Sequence, residues 1–311
     1  MASPLNEPRL KYVTCASQSG LHRMAYWEWG DPDNDRVLVC VHGLTRTGRD
    51  FDTLAARLSP HHRVVCPDVV GRGRSDWLAN PAGYVVPQYV ADMLTLIARL
   101  GAERVDWLGT SMGGLIGLGL AGALAMSAPA RAARAEFGLP PQRTLRMGRM
   151  VLNDIGPKLD MAGLARIGEY VGRPGVFDSH DEAVAYVQSV SAGFGPHSRE
   201  QWEQLTRHVF NYKDKHWVKH YDLAIAKAFE LQTPQAMQQA EALLWAAYAS
   251  LPEPVLIVRG AQSDLLLRET ATEMLARNSQ ARLIEVPGVG HAPTLLTPEQ
   301  IEPVADFLLA P

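Results

Sequence analysis

The chain has 311 residues and a formal net charge of -3 at pH 7. That length allows one large α/β domain with an inserted subdomain, and that charge gives no reason to expect nucleic acid or an anionic membrane as partner. The three cysteines, Cys15, Cys40 and Cys66, are odd in number and lack metal-like spacing. Two of them sit in apolar runs, so the expectation is buried thiols, a reducing compartment and a cytoplasmic location. Residues Met1 to Thr14 hold no apolar stretch of the secretory kind, and the run Leu115 to Met126 reads as too short to span a membrane.

Residues Arg9 to Thr14 and His22 to Trp29 read as antiparallel strands joined by a turn at Ser19-Gly20. Arg36 to Val41 is a continuous apolar run, the pattern of a parallel strand buried on both faces. It ends in His42-Gly43-Leu44-Thr45-Arg46, and a helix follows over about Arg49 to Leu58. Arg63 to Pro67 is the next strand, closed by Asp68 and the loop Gly71-Arg72-Gly73-Arg74-Ser75. That loop lacks the third glycine of a dinucleotide fingerprint and runs into a turn rather than a helix, so its charges are expected to brace loops. Adjacent His61-His62 are expected in a surface turn. Val86 to Leu100 has an apolar face, a proline near its start and Gly101 as its stop, and is predicted helical.

Arg104 to Leu108 is a fifth strand. It runs into Gly109-Thr110-Ser111-Met112-Gly113-Gly114 and a small-residue helix. A serine between two glycines at a strand-to-helix turn sits on strained backbone, where side chains at the glycine positions would collide with the neighbouring strand and helix. The Ser111 oxygen then projects from the sheet end, with the Met112 amide beside it at the helix start. Residues 128–149 mix alanine and arginine, and read as a helix extension plus a surface excursion whose arginines form a solvated face. A sixth strand ends at Asn153-Asp154. From there to about Leu251 the strand pattern gives way to helices at Met161–Val171, Asp181–Ser191, Arg199–Val209 and Pro234–Ala249. Strands resume at Pro254 to Gly260 and at Arg282 to Val286. Asp264 follows the first of these, Gly290-His291 the second, and a last helix covers Pro298 to Leu309. This alternation predicts an α/β fold: a mostly parallel eight-stranded sheet with helices on both faces and a helical insertion after the sixth strand.

Ser111, Asp264 and His291 each follow a strand, and sites in such sheets gather at the carboxyl ends of strands. In this order they resemble the nucleophile, acid and base of the α/β-hydrolase family, and His42-Gly43, the Asp68 loop and Gly109 to Gly114 match it too. The resemblance spans nearly the whole chain. It implies a core at 1–154 and 252–311, a helical cap at 155–251, and an oxyanion hole from the amides of Leu44 and Met112. It also implies hydrolysis of a small-molecule carboxylic ester through an acyl-enzyme, with no metal or organic cofactor. A carbon-carbon bond hydrolase of keto acids uses the same residues and is the alternative. A non-catalytic ligand receptor on the same fold is the alternative from another class. Asp154 also ends a strand, and Asp264 is favoured over it as the acid.

Arg46 lies two residues beyond Leu44, and two roles stand open for it: a bidentate clamp for a substrate carboxylate, or a structural one, as a salt bridge to a neighbouring loop or a solvent-facing side chain. The aromatic-rich stretch Trp202, His208, Phe210, Tyr212, His216, Trp217 and Tyr221 suits either a pocket wall or core packing. The expected partners are a small-molecule substrate and, at most, a second copy of the chain: monomer or homodimer, with no membrane.

Overall fold

The structure is a computed structural model that describes residues 7–136, 143–227 and 233–310. Its central strands are built from the continuous apolar runs. In β3 (Val37–Val41) all five residues are buried. Val37, Val39 and Val41 face one hydrophobic cluster, and Leu38 and Cys40 face the other. A strand with apolar side chains on both faces must be covered on both, and here helices do so.

The sheet has eight strands in the order β1-β2-β4-β3-β5-β6-β10-β11. The outer pair β1 (Arg9–Ser17) and β2 (Gly20–Trp29) is antiparallel, and β2 joins β4 (Arg63–Pro67) antiparallel. The rest, β3, β4, β5 (Arg104–Thr110), β6 (Arg146–Asn153), β10 (Val255–Gly260) and β11 (Ala281–Val286), run parallel. One face carries α2 (Val86–Leu100) and α3 (Met112–Glu136), with Met93, Leu96, Leu118 and Leu120 in the cluster. The opposite face carries α1 (Asp52–Leu58) and the last helix (Pro298–Leu309), through Leu54, Leu58, Val304 and Leu308. This is the architecture the alternating pattern predicts.

The insertion between β6 and β10 holds α4 (Met161–Gly168), α5 (His180–Val190) and α6 (Arg199–Arg207) as expected, but it is not wholly helical. Short strands β7 (Val176–Phe177), β8 (Phe210–Lys213) and β9 (His216–Lys219) form a second sheet in the order β7-β9-β8. Lys213 pairs with His216, leaving Asp214 and Lys215 as a two-residue loop, both at positive φ (52° and 71°). That is a type I′ hairpin built without the usual glycine, so the turn signal was absent from the sequence. The helix α7 (Pro234–Ala249), expected within the insertion, instead packs on α3, and buries Trp245 and Tyr248 in the main cluster. Ile167, Val171, Tyr221 and Ile225 of the insertion also join the main cluster, so its separately packed part is confined to α5, α6 and the small sheet. Its own small core gathers Val184, Val187, Trp202, Leu205 and Phe210.

Two further expectations change, and the buried thiols do not. Over Met112–Ala130, α3 is long and apolar enough to cross a membrane by length and composition, because the helix runs past Met126 through Ser127 and Pro129. In this fold it packs against α2, α7 and β5. His62 is buried, 3.7 Å from Asp106, rather than at the surface. The three thiols are free and buried, and burial pushes that of Cys15 up to about 12. Of the arginine-rich excursion, Arg143 and Arg146 are exposed; the side chains of Arg131 and Arg134, and residues 137–142, lie outside the described residues.

Candidate active site

Ser111 caps the turn between β5 and α3 at φ 52°, the left-handed region. The turn is tight because α3 starts directly over the end of β3. A Cβ on Gly113 would overlap the Val41 carbonyl, and one on Gly109 would overlap the backbone of Gly113 and Gly114. Trp107, fully buried on β5, donates its indole N–H to the Gly113 carbonyl at 3.1 Å and fixes the helix start from beneath. The Ser111 amide is tied to the Asn153 carbonyl at 3.0 Å. The side chain is left to point out of the sheet end, as the motif predicts.

His291 comes from the loop after β11. Its Nε2 lies 2.9 Å from Ser111 Oγ, and its Nδ1 lies 2.8 Å from Asp154 Oδ2. A carboxylate only accepts, so Nδ1 carries the proton and Nε2 is left to accept from the serine hydroxyl. The loop approaches this closely because position 260 is glycine: a Cβ there would overlap the Gly290 carbonyl.

The acid facing His291 is thus Asp154, not Asp264. Asp154 follows β6 at φ 55°, is fully buried, and accepts from Gly260 N at 2.7 Å and Ser263 Oγ at 2.6 Å as well as from His291. Three donors converge on one desolvated carboxylate, which holds its orientation. Asp264 turns away toward the insertion, where it takes both prongs of the Arg166 guanidinium on α4 at 2.6 and 2.8 Å. That arginine holds the Asp264 carboxyl below its ordinary range. Both aspartates follow strands at the right end of the sheet, so chain order does not separate them; loop conformation does.

Met112 is the first residue of α3, and an amide at that position has no carbonyl within its own helix. The Leu44 amide is set by its neighbours. His42 Nε2 accepts from Val69 N at 2.9 Å, so its Nδ1 donates to the Gly43 carbonyl at 2.7 Å. In a trans peptide the Leu44 N–H then points away from His42. The Leu44 carbonyl in turn accepts from Arg72 Nε at 2.9 Å. Buried Arg72 also donates to the Val70 carbonyl and Tyr89 Oη, so the Gly71–Ser75 loop braces its surroundings as expected. Asp68 does likewise, accepting from the amides of Gly48 and Arg74, while burial pushes its carboxyl up to about 6.

Arg46 borders the pocket, but its guanidinium is occupied. Asp50 takes Nε at 2.6 Å and Nη2 at 2.7 Å, and the Leu205 carbonyl takes Nη2 at 2.8 Å. Of the two roles left open, the salt bridge is the one found. Replacing Arg46 with alanine is expected to change KM for acidic and neutral substrates alike, within about threefold of each other. A loss confined to acidic substrates in steady-state kinetics would restore the clamp.

His220 also belongs to this region, though no motif marks it in the sequence. It follows β9, is buried, accepts from Gly73 N at 2.7 Å and donates from Nε2 to the Thr45 carbonyl at 3.0 Å. One neutral ring thereby joins the insertion to both core loops beside Ser111. Burial, with the charges of Arg46 and Arg72 adding to it, holds its pKa down to about 3. Burial likewise holds His42 well below its ordinary value. With the folded pKa lowered, the unfolded chain binds protons first as pH falls below about 6.5, so stability is full above that pH and is lost toward pH 3. Each such histidine contributes a slope of up to about 1.4 kcal/mol per pH unit. Denaturant unfolding between pH 7 and pH 4 should show the decline, shallower in His220→Gln than in the wild type; equal slopes would contradict this.

The space in front of Ser111 has two parts. An inner chamber of about 90 Å³ is lined by Leu44, Ser111, Tyr170, Phe210, Lys219 and Tyr221, among others. It opens past Arg166, Tyr170, Tyr186 and His291 into an outer vestibule of about 650 Å³. Of the aromatic-rich stretch, Phe210 and Tyr221 reach the chamber, Trp202 is buried in the insertion's core and Tyr212 is exposed.

Residues 38–306 match the model of the alpha/beta hydrolase family. The chain belongs to that family. The hydrolase is 53% identical over 304 residues to a 3-hydroxybutyrate-oligomer hydrolase of Cupriavidus necator, covering 96% of this chain and 97% of the relative. Among solved structures, a putative hydrolase from Rickettsia typhi superposes with a TM-score of 0.81 at 28% identity, covering 96% of this chain and 98% of that one. An alpha/beta hydrolase from Novosphingobium aromaticivorans superposes with a TM-score of 0.78 at 33% identity, covering 97% and 98%. The hydrolase thus shares sequence and fold with these proteins along almost its full length.

Proposed function

We propose that this enzyme is a serine hydrolase that cleaves carboxylic esters of short hydroxy acids, with Ser111, His291 and Asp154 as its catalytic triad. The observation that carries the reading is the hydrogen-bonded chain from Ser111 Oγ through His291 to Asp154, at the floor of a chamber. His291 Nε2 takes the hydroxyl proton as Ser111 Oγ attacks the ester carbonyl carbon. Asp154 holds the tautomer and stabilises the imidazolium. The amides of Leu44 and Met112 stabilise the oxyanion; a donor of that kind is typically worth about 2.7–4 kcal/mol. The acyl C–O bond breaks, and the leaving alcohol oxygen takes the proton from His291. Water then adds to the acyl carbon by the same route, giving up its proton to His291 and freeing Ser111. The part of the insertion before α7 acts as the cap that roofs the chamber.

Similarity to a hydrolase of hydroxybutyrate oligomers supports an ester of that size over a ring-cleavage product. Turnover by the purified enzyme of 3-hydroxybutyrate dimer and trimer, nitrophenyl butyrate and a vinylogous keto acid tests this. The hydroxybutyrate esters are expected to be the better substrates. Preference for the keto acid would replace it with the carbon-carbon reading. No turnover of any ester, and no covalent labelling, would favour a receptor.

A further inference from the structure

Three cationic side chains border the inner chamber among the described residues, and two are already matched: Arg46 by Asp50 and Arg166 by Asp264. Lys219, at the end of β9, has no carboxylate partner among the described residues. Its Nζ donates to the Arg173 carbonyl at 2.7 Å and to Tyr221 Oη at 3.4 Å. It lies 4.8 Å from the centroid of the Tyr186 ring and 5.5 Å from that of Tyr221. Neutral carbonyl, hydroxyl and ring faces thus surround a half-buried ammonium. Burial, followed by the Arg173 charge, holds its pKa down to about 8. A cation desolvated without a counter-charge is the group that gains most when an anion enters.

We infer that Lys219 binds the free carboxylate of a hydroxy-acid oligomer, so that the enzyme releases one unit at a time from the carboxyl end. This deepens the ester reading above and rests on it. The inner chamber's 90 Å³ has room for roughly six to nine water-sized groups, the bulk of one four-carbon hydroxy acid. With the terminal carboxylate on Lys219, the last ester bond lies toward Ser111, and the remaining chain extends past Tyr170 and Tyr186 into the vestibule. Attack by Ser111 breaks the acyl C–O bond of that ester. The terminal unit leaves from the inner chamber as a hydroxy acid, its new hydroxyl carrying the proton from His291. The shortened oligomer stays on Ser111 until water releases it with a free carboxylate of its own. The balance is one water consumed for each unit freed, and the product is again a substrate.

The test compares 3-hydroxybutyrate dimer with its terminal N-methylamide, which removes the anion without adding a second ester, in the wild type, Lys219→Met and Lys219→Arg. The wild type should favour the free acid in kcat/KM. Lys219→Met should reduce that preference about 30-fold, mainly through KM, and Lys219→Arg should restore most of it. A trimer carrying ¹³C in its carboxyl-terminal unit should release labelled monomer first. An unchanged preference in Lys219→Met, or unlabelled monomer released first, overturns the anchor. If the wild type cleaves nitrophenyl butyrate but no hydroxybutyrate ester, the substrate reading beneath the anchor fails, and the anchor with it.

Discussion

Replacing Asp154 with asparagine is expected to lower kcat about 10,000-fold, whereas Asp264→Asn should stay within about threefold of the wild type. Asp154 Oδ2 accepts from His291 Nδ1, and the same carboxylate accepts from Gly260 N and Ser263 Oγ. An asparagine has one acceptor oxygen, so its NH₂ must meet either the Gly260 amide or the donors at Oδ2. If it meets His291, the ring flips its proton to Nε2 and can no longer accept from Ser111. A buried donor left unpaired also costs about 1–3 kcal/mol, so the fold of the variant should be checked by denaturant unfolding alongside kcat. Asp264 bonds Arg166 in a pair whose two side chains are each 38% exposed, and pairs so exposed contribute about 0–1 kcal/mol. Steady-state kinetics on both variants separates the two aspartates. Loss at Asp264 with survival at Asp154 would move the acid to the loop after β10.

The second large effect is at Ser111, where activity and stability are expected to part. Ser111→Gly and Ser111→Ala should each lose about a million-fold in kcat, because neither supplies a nucleophile for His291 to activate. Their stabilities should differ. Ser111 sits at φ 52°, where a residue with a Cβ is strained by about 1–2 kcal/mol. Alanine keeps that strain and glycine relieves it, against about 0.5–1 kcal/mol for glycine's extra freedom in the unfolded chain. Ser111→Gly should therefore be the more stable of the two by up to about 1.5 kcal/mol in urea unfolding. An alanine variant more stable than the glycine variant would mean that the turn stores no strain.

Much of this was legible in the sequence because the signals were local. Continuous apolar runs marked β3 and β10, and their alternate residues do face opposite cores. Gly109 and Gly113 marked a turn that no larger residue fits. Ser111 and His291, 180 positions apart, were paired by family order, and they meet at 2.9 Å. What was not legible depended on distant packing or on backbone without a residue signature. Asp154 and Asp264 follow strands equally well, and only the left-handed turn at Asp154 decides which one faces His291. The β8–β9 hairpin turns on Asp-Lys, a pair with no turn preference strong enough to announce it. The helix α7 has no feature that distinguishes packing on α3 from packing within the insertion. His220 and Lys219 are adjacent, and one braces core loops while the other faces the chamber. Neither role has a sequence pattern.

A serine that His291 activates should form a covalent adduct at Ser111. Intact mass spectrometry of enzyme treated with a fluorophosphonate, followed by peptide mapping, tests it most directly. One adduct per chain is expected, on Ser111, absent in Ser111→Ala and strongly slowed in Asp154→Asn. No adduct, or an adduct on another residue that persists in Ser111→Ala, would contradict it.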